Sequence, residues 1–288
     1  MRIIEEAANR LEVLRRSGAV MPWLIPDTPG GEVLAQREEH WPRLQVRHAP
    51  EARPPRTPPG VTLDLERLQA LGYLVPAQSG TTLAREFRRI KRPLLESAQR
   101  DATAPDRLSL VMVTSAVAGE GKTFCAINLA LSIAAEIDTS VLLVDADVVH
   151  PEVMQRLGVE ADKGLLDVLT DARLGLADVI RQTNVPRLSI LPAGTPSGLS
   201  TELLASRAMQ QLLDELAMTA PRRVVIFDAP ALLATTEAAV LASRVGQVLL
   251  VVQARRTPCR TVREAFACLQ SQPHVTSLLN QGRPPARG

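Results

Sequence analysis

The chain has 288 residues, 45% of them hydrophobic and 22% charged, the balance of a globular protein with one large core and an appendage. A formal charge of +2 and an aromatic content of 2% exclude a strong nucleic-acid footprint and leave few rings for stacking, so no nucleic-acid partner is expected. Cys125, Cys259 and Cys268 form no C-x-x-C pair and have no clustered histidines, which argues against metal ligation and disulfides and fits a reducing cytoplasm.

The first residues, MRIIEEAANR, place acids where a signal peptide needs a basic segment. No apolar run reaches the roughly 18 residues of a membrane span, so a cytoplasmic protein is expected. Residues 1–18 set Ile3, Ile4, Ala7, Leu11 and Leu14 at helical spacing, the pattern of an amphipathic helix that docks on its own body or on a partner. Residues 19–60, with PWLIPDTPGG and ARPPRTPPG, read as a proline-rich linker in extended geometry. Residues 61–288 form the expected main domain.

That domain opens with two helical patterns, VTLDLERLQALGYL and TLAREFRRIKRPLLESAQR, the second interrupted at Pro93. Tyr73 shares the helical spacing of Leu68 and Leu71, which gives it a packing role. Short apolar runs then alternate with helical stretches: SLVMVT, VLLVDAD, LSILPAG, RRVVIFDAP, QVLLVVQA and VTSLLN. Continuous apolar strands between helices predict an α/β fold, a doubly wound parallel sheet with its ligand crevice at the carboxyl ends of the strands.

The run SLVMVT leads through SAVAGEGKT into the helix TFCAINLALSIAA, the strand, loop and helix context of a phosphate-binding loop. Ala118, Gly119, Glu120, Gly121, Lys122, Thr123 and Phe124 are the expected nucleotide-binding segment. Glycine permits the backbone amides to turn toward phosphate, Lys122 reaches the β/γ-phosphates and Thr123 ligates Mg²⁺. Ala116 stands where the pattern G-x-x-x-x-G-K-[ST] begins with glycine. Only three lysines occur, Lys91, Lys122 and Lys163, so an ammonium at 122 is a marked choice in an arginine-rich chain. Asp145, Asp147 and Asp228 end two other strands. Carboxylates converging on the β/γ-phosphates hold Mg²⁺ or its waters, with Thr123, Asp147 and Asp228 as the expected metal set, or accept a proton from an attacking hydroxyl.

The set GEGKT, DAD and IFDAP resembles the bacterial tyrosine kinases, relatives of the MinD/ParA ATPases. With EFRRIKRPLL, PAGTPSGLSTELLAS and DAPALLATTEAAVLAS, the chain is similar to the tyrosine autokinases of exopolysaccharide loci associated with exosortase and PEP-CTERM proteins. The resemblance implies ATP and Mg²⁺ as cofactors, a non-specific protein-tyrosine kinase activity with Lys122, Asp145 and Asp228 as catalytic residues, and Asp145 as base. It implies an adenine contact at Asn280 and an E-x-x-R-x-x-R motif, Glu86, Arg89 and Arg92, that builds a homo-oligomer. It further implies a membrane chain-length-determinant (Wzz-like) activator that recruits the protein to the inner membrane, and protein tyrosines as substrates.

The chain ends NQGRPPARG with Tyr73 as its one tyrosine, where such kinases carry a tyrosine cluster, so phosphorylation of partners and not of itself is expected. His150 stands where an arginine commonly follows DAD, and Gln281 where a basic residue often follows the asparagine. Two other readings stay open: a MinD/ParA-like ATPase switch that controls assembly without phosphorylating protein, and a scaffold whose nucleotide orders an oligomer.

Overall fold

The computed structural model describes residues 60–76, 80–100, 107–160, 163–218 and 222–282. The helix expected over 1–18 and the linker expected over 19–60 lie outside them, apart from Gly60.

Strands β1 (Gly60–Val61), β2 (Leu110–Ser115), β3 (Ser140–Asp145), β4 (Arg181–Thr183), β5 (Leu188–Leu191), β6 (Arg223–Asp228), β7 (Gln247–Gln253) and β8 (Val275–Asn280) form one sheet. Their order is β1-β4-β5-β3-β6-β2-β7-β8, and only the β4–β5 pairing is antiparallel.

Strand side chains alternate between two layers with the period of two that a pleated strand imposes. Leu110, Met112, Leu142, Val144, Val225 and Phe227 enter one core. Val111, Val113, Val141, Leu143, Val224 and Ile226 enter the other. Both faces being covered is why these strands read as unbroken apolar runs.

The second core is roofed by α1 (Leu65–Ala70), α2 (Thr82–Arg100), α3 (Lys122–Ala134) and α4 (Val153–Leu157). The first is roofed by α5 (Leu165–Thr170), α6 (Leu176–Val179), α7 (Ser200–Ala205), α8 (Arg207–Met218), α9 (Thr236–Ala242) and α10 (Cys259–Ala267). No described helix is long and apolar enough to cross a membrane.

Two helical expectations need correction. The first helix, expected to run through Tyr73, ends at Ala70. Gly72 takes a left-handed φ of 84°, and the Tyr73 and Gly72 amides donate to the Leu68 and Gln69 carbonyls, closing the helix in a Schellman-like turn. Tyr73 is still buried, but against Phe124, with ring centroids 5.1 Å apart, while Leu71 is exposed.

The second helix, expected to break at Pro93, is continuous. Proline inside a helix costs about 3 kcal/mol. Burial of Phe87 and Leu94 returns about 1.5–3 kcal/mol each. Lys91 adds a tie at the C-terminal end of α3, donating to the Ser132 carbonyl and pairing with Glu136 at 2.6 Å.

Strands β1 and β4 carry no apolar period. They are held instead by the Asn184 amide, which accepts from the Leu63 N–H at 2.8 Å and donates to its carbonyl at 3.0 Å.

Candidate active site

Parallel register brings three strand ends together. Asp145 pairs in register with Asp228, and Asp228 with Val113, so the chain exits β3, β6 and β2 side by side. The loop after β2 turns on Gly119 and Gly121, with φ of 86° and 93°, values that favour glycine. A Cβ on Gly121 would stand 2.2 Å from Asn280 Nδ2, so this position also lacks room for a side chain. Ala116 is not among the residues of positive φ, which explains why alanine serves at the first motif position.

Gly121 caps α3 without a side-chain bond, and the first turn holds no acid, so the helix presents free amides and a positive dipole end to an anion. Ala118 and Gly119 are exposed at the tip of the loop, and Thr123 is buried at its base.

Lys122 reaches across this opening. Its Nζ lies 2.7 Å from Asp147 Oδ2, 3.9 Å from Asp228 Oδ1 and 3.4 Å from Thr123 Oγ1. Asp147 Oδ1 accepts the His150 N–H at 3.2 Å, and Asp145 Oδ2 accepts the Val153 N–H at 3.0 Å. Asp145 and Asp228 are fully buried, and Asp145 Oδ1 and both Asp228 oxygens accept no hydrogen bond.

Burial pushes the Asp145 carboxyl well above the usual carboxylate range, and the neighbouring Asp228 charge adds to it. Burial likewise raises Asp228 to about 6, against the pull of the Lys122 ammonium and of the Thr123 hydroxyl. That hydroxyl stands near enough to favour the charged form without closing a well-formed bond to Asp228. For Lys122 burial works against the charge, but Asp228 and Asp147 outweigh it and hold the ammonium above its ordinary value.

Orphaned buried carboxylate oxygens cost several kcal/mol unless something meets them. A hard divalent cation with its waters is what such oxygens fit, and Asp147, Asp228 and the Thr123 hydroxyl are the groups that would hold Mg²⁺ beside the phosphates.

The structure thus gathers Lys122, Thr123, Asp145, Asp147 and Asp228. Phe124 puts its ring against Tyr73 and has its backbone N–H to offer a nucleotide. Asn280 meets the loop directly: its Nδ2 donates to the Glu120 carbonyl at 2.9 Å and its Oδ1 accepts the Gln281 N–H at 2.9 Å. Glu86, Arg89 and Arg92 take no part in the cluster; they are exposed on α2, whose buried residues pack toward α3.

Two features escaped the sequence reading. Glu120 was expected as part of the nucleotide-binding segment, but its side chain was not expected to be buried and bonded to Gln253 and Thr257. A cleft of about 420 Å³ lined by Arg67, Tyr73, Phe124, Glu152 and Arg156 joins segments far apart in the chain, and no motif marks it.

A family model described as an AAA domain matches residues 109–269. YwqD, a tyrosine-protein kinase of Bacillus subtilis, is 32% identical over 59% of this chain and 72% of its own length. ExoP, a succinoglycan biosynthesis transport protein of Rhizobium meliloti, is 34% identical over 74% of this chain and 26% of its own. The chain spans about a quarter of the length of several of the curated relatives it matches. The kinase domain of the Escherichia coli tyrosine kinase ETK superposes with a TM-score of 0.62 at 25% identity, covering 90% of each chain. With an AAA-domain model over more than half of its length and a tyrosine-protein kinase matched at 32% identity over 72% of that relative, the chain belongs to the bacterial tyrosine-kinase family of P-loop proteins.

Proposed function

We propose that the protein transfers the γ-phosphoryl group of Mg-ATP to tyrosine hydroxyls of partner proteins in exopolysaccharide synthesis or export. The observation that carries this reading is the Lys122 ammonium set between Asp147 and Asp228, beside buried Asp145 and Asp228 oxygens without hydrogen-bond partners. Bound Mg²⁺ supplies charge neutralisation for the β- and γ-phosphates. The loop amides and Lys122 bind and orient the same oxygens and take up the charge that develops as the bridging P–O bond breaks.

The tyrosine oxygen forms the new bond to phosphorus, and its proton passes to Asp145. Burial raises this carboxyl and so brings its basicity closer to neutral pH, where a general base works best. ADP and the phosphotyrosine leave. Relatives named as kinases and as a polysaccharide transport protein support the setting. The same reading includes a membrane chain-length-determinant activator, recruitment to the inner membrane, and a homo-oligomer built through Glu86, Arg89 and Arg92. Replacing both arginines with alanine should reduce that oligomer to monomer by light scattering, and an unchanged mass would refute it.

One observation favours a second reading, the MinD/ParA-like ATPase switch. Tyr73, the one tyrosine of this chain, is 4% exposed and packed on Phe124. Incubation with Mg-ATP and the proteins of its own locus, followed by phosphotyrosine mapping, separates the two. The kinase reading expects phosphotyrosine on a partner; ATP hydrolysis with none on any partner gives the switch.

A further inference from the structure

We infer that Glu120 is a positioning residue that clasps the phosphate-binding loop to the carboxyl ends of β7 and β8, by its carboxylate at Gln253 and Thr257 and by its backbone carbonyl at Asn280. It is 1% exposed, although it is an acid within the loop. Its Oε2 accepts the Val117 N–H at 2.8 Å, inside the loop. Its Oε1 accepts the Gln253 N–H at 3.1 Å and the Thr257 hydroxyl. Its backbone carbonyl accepts from Asn280 Nδ2 at 2.9 Å.

A buried carboxylate is costly unless donors satisfy it, and bonds to an ionised acceptor are roughly twice as strong as neutral ones. Two of the three donors to the carboxylate, the Gln253 N–H and the Thr257 hydroxyl, lie outside the loop. The loop is therefore anchored from within, at Val117, and from outside, at β7 and β8. The segment between two left-handed glycines would otherwise sample many shapes. Fixing it beforehand removes the ordering cost from nucleotide binding.

The attachment side is itself over-determined. Arg255 and Gln281 adopt left-handed φ of 63° and 57°, and between them the Ala254 N–H donates to the Asn280 carbonyl at 2.9 Å. Glu120 thus joins the phosphate side of the site to the strand end that bears Asn280. The inference rests on the ATP-binding part of the reading above and not on tyrosine as the acceptor.

Thr257 provides the cleanest test, because it meets the loop through the Glu120 carboxylate. Thr257→Val in the full chain should raise the KM for ATP in Mg-ATP turnover about fivefold with kcat nearly unchanged, and Thr257→Ser should restore it. Glu120→Gln opposes an amide N–H to one of the donors and should raise KM about tenfold or more. The double variant should be no worse than Glu120→Gln alone, since both act through one clasp. A ribose-labelled fluorescent ATP analogue should give the same ranking in dissociation constants. A wild-type KM in Thr257→Val, or single effects that multiply in the double variant, would overturn the clasp. If Glu120→Gln does not fold, the Val and Ser variants at 257 still decide. A wild type that binds the nucleotide but phosphorylates no tyrosine would defeat the kinase reading and leave the clasp standing.

Discussion

The two ends of the central strands treat buried polar groups in opposite ways. At the amino ends, Gln247 Nε2 donates to the Leu94 and Leu108 carbonyls, and Gln272 Nε2 donates to the Ala242 and Val245 carbonyls at 2.7 and 2.8 Å. At the carboxyl ends, three oxygens of Asp145 and Asp228 accept nothing. The amino ends are built for stability, with neutral amides whose bonds tie neighbouring segments together. The carboxyl ends accept a cost in the free protein, and such a cost at a strand end is the mark of a site that a ligand completes.

The comparison breaks most sharply at Lys122. Lys122→Met should abolish ATP turnover, a loss of about a thousandfold or more, because the cation that meets both the phosphates and the two aspartates is gone. Folding should survive, since Asp228, already raised to about 6 by burial, can take up a proton in compensation. Equal nucleotide-induced thermal shifts in wild type and variant would show that the phosphates bind elsewhere.

Asp145→Asn comes next. It should lower phosphoryl transfer to partner tyrosine at least about a hundredfold while leaving ATP binding largely in place, because the proton acceptor is lost and the loop is untouched. Transfer at the wild-type rate would remove Asp145 from the chemistry.

A third prediction concerns pH. Asp228 is raised from 3.8 to about 6 in the folded chain, so the folded state holds the proton more tightly than the unfolded one. Its contribution is present below pH 3.8 and is lost as pH rises to about 6, roughly 3 kcal/mol by order of magnitude. Without nucleotide, Asp228→Asn should therefore melt higher than wild type at pH 7 and show a smaller loss of stability between pH 4 and 7. The amino end should behave in the contrary sense: Gln272→Leu should cost about 2 kcal/mol by leaving two carbonyls unmet, with ATP affinity unchanged. Chemical denaturation of both variants at the two pH values checks the pair, and a destabilised Asp228→Asn would end the contrast.

The sheet was legible because its strands are buried on both faces, so VMVT, VLLV and VVIF stand out as apolar runs between helices. Strands β1 and β4 were not, because β1 is only two residues long and RQT is polar, so neither shows an apolar period. The break expected at Pro93 failed because the packing of Phe87 and Leu94 on the core outweighs one missing hydrogen bond. The strand-end aspartates were legible from their spacing after each apolar run. The Glu120 clasp was hidden because its partners Gln253 and Thr257 lie 133 and 137 residues along the chain, a distance that only the fold closes.

The central claim is that the unmet carboxylate oxygens at the carboxyl ends await a cation brought with the nucleotide. Calorimetric titration of ATP into the wild type and Asp228→Asn, with Mg²⁺ and again with EDTA, tests it most directly. The account predicts that Mg²⁺ tightens binding to the wild type at least about tenfold and has little effect on the variant. Equal enhancement by Mg²⁺ in both proteins, or none in either, would contradict it.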